Sequence, residues 1–265
     1  MSVGDLNRLD RPHLHASCER NLECNNLTHG FKDTTARGKY VYDVTTVPSR
    51  IPPPPGEDEI PIHSRSYTVN VFRVDEGHMR LRGRVIDTKP AGLYVRNDDD
   101  PLDVHDMVVD LIVSFPFLEI QSVTVILDTH PNLLCPSIEP LFQQLAGVSI
   151  ARGFSRTLTD LFGGPKGCTH VVSLLRAMAP VAVQAIYSME AADPDRDPAK
   201  AWNTRERSEE QRLGALSFIE DTCHVWASGG ERLQRAKAGE LVEAPIWIRE
   251  RLTKLGREDE LRHWE

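Results

Sequence analysis

The chain has 265 residues, of which 40% are hydrophobic, so it is long and apolar enough to close a hydrophobic core. Its 31 Lys and Arg against 39 Asp and Glu give a formal net charge of −8, which argues against binding to nucleic acid or to an anionic membrane. No apolar run approaches the roughly 20 residues that span a bilayer. The N-terminal residues lack a secretory signal, and an odd number of cysteines, five, is typical of a cytoplasmic protein with reduced thiols.

Residues 1–62 show little periodicity and end in the proline-rich sequence IPPPPGEDEIP. Four consecutive prolines form a stiff stretch that cannot lie inside a helix or a central strand. The sequence therefore predicts a Pro-rich N-terminal arm, which lies along the domain or mediates assembly into a homo-oligomer.

Residues 65–128 alternate polar and apolar side chains, which is the period of a β-strand. Asp75-Glu76-Gly77 is a hairpin signal between the first two segments, and a short turn around Pro116 separates the last two. In the strand that begins at His105, every second residue from Met107 to Val113 is apolar and shares a face with His105. The pattern predicts an antiparallel meander.

From about residue 137 the apolar period becomes helical. One segment is predicted to end at Gly147 and the next at Gly163-Gly164, and a long apolar helix with a kink at Pro180 follows. We therefore expect an α+β fold in which helices cover one face of the meander. The predicted core spans residues 63–190, and a C-terminal helical extension spans residues 191–265.

Four residues of metal-binding type lie at the ends of these predicted elements, where separate segments can converge: His105, Cys135, Cys168 and His170. Cys168 also lies at a helix N-terminus, where the helix dipole favours a thiolate. The alternative is that Cys135 and Cys168 are small hydrophobic residues of the core.

The order of motifs resembles a bacterial family of unknown function, number 2889, over roughly residues 65–230. The motifs are His105-Asp106-Met107, Cys135, Gly167-Cys168-Thr169-His170 and Thr222-Cys223-His224. The same segment is more distantly similar to the NifU-type iron–sulfur scaffold fold. This second resemblance implies a NifU-like core with His105, Cys135 and Cys168 as metal ligands.

Asp103 stands where the NifU-type scaffold has a further cysteine, and this favours a mononuclear zinc, or less readily iron, over a cluster. The resulting hypothesis is a metal-dependent enzyme acting on a small, possibly aromatic, molecule in catabolism. His170 would transfer protons, supported by Asp106 or Asp87. A lyase of retro-aldol or deformylating type comes first and a hydrolase second.

Two other functions fit the same residues. One is a non-catalytic zinc or iron–sulfur scaffold that works with a partner. The other is a metal-independent enzyme with Cys168 as nucleophile and His170 as its base. Two residues apart at a helix start, these two side chains are expected to point in different directions. Whether His170 or Cys223 and His224 complete the site stays open.

Overall fold

The computed structural model describes residues 32–34, 39–41, 60–151, 153–193, 208–240 and 243–264. The chain divides into two compact units, Met1–Ile60 and Pro61–Glu265. In the first unit, strand β1 (Lys32–Thr34) pairs antiparallel with strand β2 (Lys39–Val41). Apart from these strands and residues 60–62, the predicted arm at residues 1–62 lies outside the described residues.

A four-stranded antiparallel sheet forms the centre of the second unit, as predicted. Its strands are adjacent in chain order: β3 (Ser64–Arg73), β4 (His78–Lys89), β5 (Leu102–Ser114) and β6 (Ile120–Thr129). In the β3–β4 turn the backbone N–H of Gly77 donates to Asp75 Oδ1 at 2.8 Å, which confirms the hairpin signal. Residues alternate strictly along β4, where Leu81 is buried and Arg82 exposed.

The pairing of β4 with β5 contains an irregularity near its end. Asp87 lies opposite His105, whereas the next residue, Thr88, lies opposite Asp103, so Val104 is an extra residue on β5. Such a bulge bends a strand and changes the direction of its side chains. Asp87 and His105 are the last pair before this bulge, and they share the buried face of the sheet at the end where the β4–β5 loop leaves it.

The helical part begins with a 3₁₀ helix, Cys135–Leu145, followed by α1 (Phe154–Phe162) and α2 (Thr169–Ala191). Pro136 and Pro140 lie in the first of these segments, and proline lacks the N–H that an α-helix requires. This explains a 3₁₀ helix in place of a regular α-helix. α1 ends before Gly163, as predicted.

Helix α2 contacts β3, β4 and β5, and the first 3₁₀ helix packs on β6, so helices cover one face of the sheet. By length and composition alone α2 could cross a membrane, contrary to the expectation that no segment was long enough. Its residues Val171, Leu174, Leu175 and Met178 are buried in the core with the sheet, as in the core helix of a globular domain.

The approach of α2 to the sheet is closest at Gly83 in β4. A Cβ atom there would lie 2.6 Å from Met178 Sδ and 3.0 Å from Leu174 Cδ1. The missing side chain therefore lets the helix lie directly on the strand.

The predicted C-terminal helices are α3 (Glu209–Ile219), α4 (Glu231–Lys237) and α5 (Ile246–Leu255), with a 3₁₀ helix at Glu258–His263. Ser208 begins α3 through a capping box with Gln211. Leu216, Leu233 and Ala236 form a small core of their own. Short 3₁₀ helices also occur at Gly164–Lys166 and His224–Trp226.

Candidate metal centre

Asp87 is the centre of a cluster of charged and imidazole side chains at one end of the sheet. Asp87 is only 1% exposed. Strand register places Arg65 of β3 opposite Asp87 and His105 of β5 opposite it on the other side. Three neighbouring strands therefore present Arg65, Asp87 and His105 in one row, and His170 comes from the first turn of α2.

Arg65 binds Asp87 through two parallel hydrogen bonds. Nε donates to Oδ1 at 2.5 Å and Nη2 donates to Oδ2 at 2.6 Å. These bonds lower the pKa of Asp87 to about 2, because they stabilise the carboxylate more than its burial destabilises it. The carboxylate is thus charged across the physiological pH range and fixed in orientation.

Two histidines reach the same oxygen of Asp87. His105 Nδ1 lies 3.0 Å from Oδ2, and His170 Nε2 lies 3.4 Å from it. The two rings stack with their centroids 3.8 Å apart. Burial lowers the pKa of His170, and the positive charges of His105 and Arg65 lower it further. A neutral imidazole, the form that binds metals, is therefore favoured at His170.

Asp87, His105 and His170 could hold a metal ion, since one ligand atom from each lies within 4.8 Å of the others. Two imidazoles and one carboxylate are a common ligand set for zinc and for non-haem iron. Arg65 leaves room for an ion at Asp87, because each carboxylate oxygen has two acceptor positions and the guanidinium takes one of them. The donor chemistry therefore fits a metal.

Cys168, one of the predicted ligands, is the N-cap residue of α2 and lies beside this group. Its Sγ is 3.6 Å from His170 Nδ1 and 3.9 Å from Met107 Sδ. The expectation that the Cys168 and His170 side chains point apart is thus wrong. The contact is with Nδ1, however, so the thiol and Asp87 lie beside opposite nitrogens of the same ring.

The structure places the other predicted residues elsewhere. Cys135 begins the 3₁₀ helix and is partly buried against the hydrophobic core. Asp106 follows His105 in β5 and faces the opposite side of the sheet, where Arg84 donates to both of its carboxylate oxygens at 2.8 and 2.5 Å. Cys223 is exposed and precedes the 3₁₀ helix that starts at His224. The ligand group found among the described residues includes none of these.

Two residues of the cluster, Arg65 and His63, were not predicted from the sequence. His63 Nε2 lies 3.5 Å from Asp87 Oδ1, on the oxygen that the other two histidines do not approach. The sequence did contain a signal for Arg65. The predicted hairpin is centred on Glu76, and residues equally distant from Glu76 on the two strands pair with each other, so Arg65 pairs with Asp87. The register of a tight hairpin thus contains information on the site.

Comparison with known proteins supports one of the two resemblances. Residues 63–184 match the model of a family described as "Protein of unknown function (DUF2889)". The matched segment runs from the start of β3 into α2, and it contains Asp87, His105 and His170. No curated protein and no solved structure matches the chain significantly, and the similarity to the NifU-type fold finds no support.

Proposed function

We propose that this protein is a metal-dependent enzyme that acts on a small organic molecule, with Asp87, His105 and His170 as the metal ligands. The observation that carries the proposal is the ionised, almost fully buried carboxylate beside two stacked imidazoles. Zinc is the first choice of metal, and iron is the second because two histidines and one carboxylate also suit it.

A bound metal would act as a Lewis acid on an oxygen of the substrate. Arg65 keeps Asp87 ionised and holds its carboxylate plane. His63 Nε2 lies 3.5 Å from Asp87 Oδ1, and 37% of the His63 side chain is exposed. It can therefore carry a proton between the solvent and the site, which is the role first assigned to His170.

Cleavage of a carbon–carbon bond by a retro-aldol or deformylating route is the reaction we propose first. The substrate hydroxyl loses its proton to a base such as His63 and becomes a carbonyl, and the neighbouring C–C bond breaks. The bond's electron pair passes to the departing carbon, which a carbonyl or aromatic group of the substrate must stabilise and which then takes up a proton. Hydrolysis needs the same polarised oxygen and is the second choice.

Exposed apolar side chains at this end of the sheet support an apolar or aromatic substrate. The β4–β5 loop carries Leu93 and Tyr94, and the segment that follows β6 carries Leu133 and Leu134, all of them exposed. Both segments leave the sheet at the end where Asp87 and His105 lie. Exposed apolar side chains near a polar centre are suited to contact an apolar part of a substrate.

Metal binding by matched variants tests the proposal. Asp87→Asn and Asp106→Asn each remove one negative charge from a carboxylate that an arginine binds in bidentate fashion, but only Asp87 lies beside the histidines. In calorimetric titration with Zn²⁺ or Co²⁺, wild type and Asp106→Asn should bind one ion at the site. Asp87→Asn should bind at least about 100-fold more weakly. Equal affinity in all three proteins would refute the assignment.

A second candidate function, a metal-independent cysteine enzyme, is favoured by one specific observation. Cys168 Sγ, His170 and Asp87 form a continuous relay, with 3.6 Å from sulfur to Nδ1 and 3.4 Å from Nε2 to Oδ2. This is the order of nucleophile, base and orienting group in a catalytic triad. It predicts that iodoacetamide modifies Cys168 faster in metal-free wild type than in His170→Gln, and equal rates would exclude it.

A further inference from the structure

At the start of α2, the thiol of Cys168 lies beside a thioether sulfur and an imidazole nitrogen. Met107 follows His105 by two residues on the same face of β5 and is 1% exposed. Its Sδ lies 3.9 Å from Cys168 Sγ, which in turn lies 3.6 Å from His170 Nδ1. The cluster therefore unites a thiol, a thioether and an imidazole from two separate elements of the fold.

These separations match the spacing of ligands around one metal ion. Bonds of about 2.3 Å to sulfur and about 2.0 Å to nitrogen, at angles between tetrahedral and trigonal, place two sulfurs about 3.8–4.0 Å apart. The same bonds place a sulfur and a nitrogen about 3.5–3.7 Å apart. The thiol of Cys168 thus lies at ligand spacing from both the Met107 thioether and the His170 imidazole.

We propose that Cys168, Met107 and His170 Nδ1 form a site for a soft monovalent cation, Cu(I). Thiolate and thioether ligands select Cu(I), whereas hard cations prefer oxygen. One thiolate and one Cu(I) ion together carry no net charge, so their burial beside Met107 avoids the cost of an isolated charge.

The Cu(I) site is separate from the group around Asp87, although the two share a residue. The Asp87 carboxylate approaches Nε2 of His170, whereas Cys168 approaches Nδ1. The two nitrogens of one ring point away from each other, so a single ion cannot bind both. The His170 imidazole would therefore lie between the two positions, and the Cu(I) proposal does not depend on the proposed enzyme function.

Competition with a coloured Cu(I) chelator under anaerobic, reducing conditions tests the site. The background is the full chain with Cys18→Ser and Cys24→Ser, because these two thiols lie outside the described residues. The background protein should bind one Cu(I) and show thiolate-to-copper absorption in the ultraviolet. Cys168→Ser should abolish this binding, and Met107→Leu should weaken it by about tenfold or more. Cys223→Ser, which removes an exposed thiol, is the matched control and should leave it unchanged.

The two metal positions should respond to different variants. Cys168→Ser should retain Zn²⁺ binding, Asp87→Asn should retain Cu(I) binding, and His170→Gln should lose both. Circular dichroism and thermal unfolding identify any variant that fails to fold, and X-ray absorption counts the sulfur ligands directly. Unchanged Cu(I) affinity in folded Cys168→Ser, or a Cu(I) spectrum with no second sulfur, would overturn the proposal.

Discussion

The two faces of the sheet carry the same ion pair in different surroundings. On the helix-covered face Arg65 binds Asp87, and on the other face Arg84 binds Asp106, each through two hydrogen bonds. Both carboxylates are buried, with exposures of 1% and 6%. Among the described residues, histidines lie against Asp87 and not against Asp106, whereas further carboxylates, Asp103 and Asp128, act on the partner of Asp106.

This comparison separates the structural role of an ion pair from its chemical role. An arginine that holds a buried aspartate can connect two strands on either face. The imidazoles beside Asp87 offer nitrogen ligands that a metal ion could use. The carboxylates near the Arg84–Asp106 pair offer no nitrogen ligand. Variants of both pairs therefore test which properties belong to the ion pair and which belong to the site.

The largest expected effect is on stability. Asp87→Asn should lower the free energy of unfolding by about 3 kcal/mol, because it leaves the guanidinium of Arg65 without its charged partner. Asp106→Asn should cost about 1 kcal/mol, since half of the Arg84 side chain is exposed and water can replace the lost bonds. Urea unfolding of both metal-free variants measures the difference. Equal losses would mean that the two pairs are energetically equivalent.

A smaller effect should appear in acid. The folded protein lowers the pKa of Asp87 from the usual 3.8 to about 2, so it binds this proton less readily than the unfolded chain. The resulting stabilisation, about 2 kcal/mol, is complete above pH 4 and is lost as the pH falls through about 2. The stability difference between wild type and Asp87→Asn should shrink over this range. A constant difference from pH 7 to pH 2 would contradict the lowered pKa.

The smallest effect concerns His170. Its pKa is lowered in the folded protein, mainly by burial, so the neutral side chain is favoured by folding. Metal-free wild type should therefore gain stability as the pH rises toward the unfolded value of about 6.5, and lose it again on acidification. His170→Gln should lack this component. Thermal unfolding at several pH values checks it, and the two proteins showing parallel profiles would argue against a buried neutral imidazole.

The strands of this fold could be predicted from the sequence because alternation is strict in β4 and most of β5. The β3–β4 hairpin was also accessible, since its turn residues fix the pairing. The first 3₁₀ helix was harder to predict as a 3₁₀ helix. Its apolar spacing is that of an α-helix, whereas Pro136 and Pro140 change the hydrogen bonding.

The candidate site was predictable in part. His105 and His170 were identified from their positions at the ends of elements, but the thiols of Cys135 and Cys168 were given more weight than Asp87. The pairing of Asp87 with His105 depends on the register of β5 against β4, and the long loop that joins these strands does not fix that register in the way a tight hairpin turn does. Likewise, sequence spacing does not show which nitrogen of His170 faces the carboxylate.

The row formed by Arg65, Asp87 and His105 has a consequence for how the protein reaches its native state. A slip of β5 by one position against β4 would turn His105 to the other face and leave Asp87 without an imidazole opposite it. A cation that binds only the correct arrangement would add its binding free energy to that arrangement alone. A metal ion present while the chain folds would then favour the correct register of β5 against β4 over the slipped one.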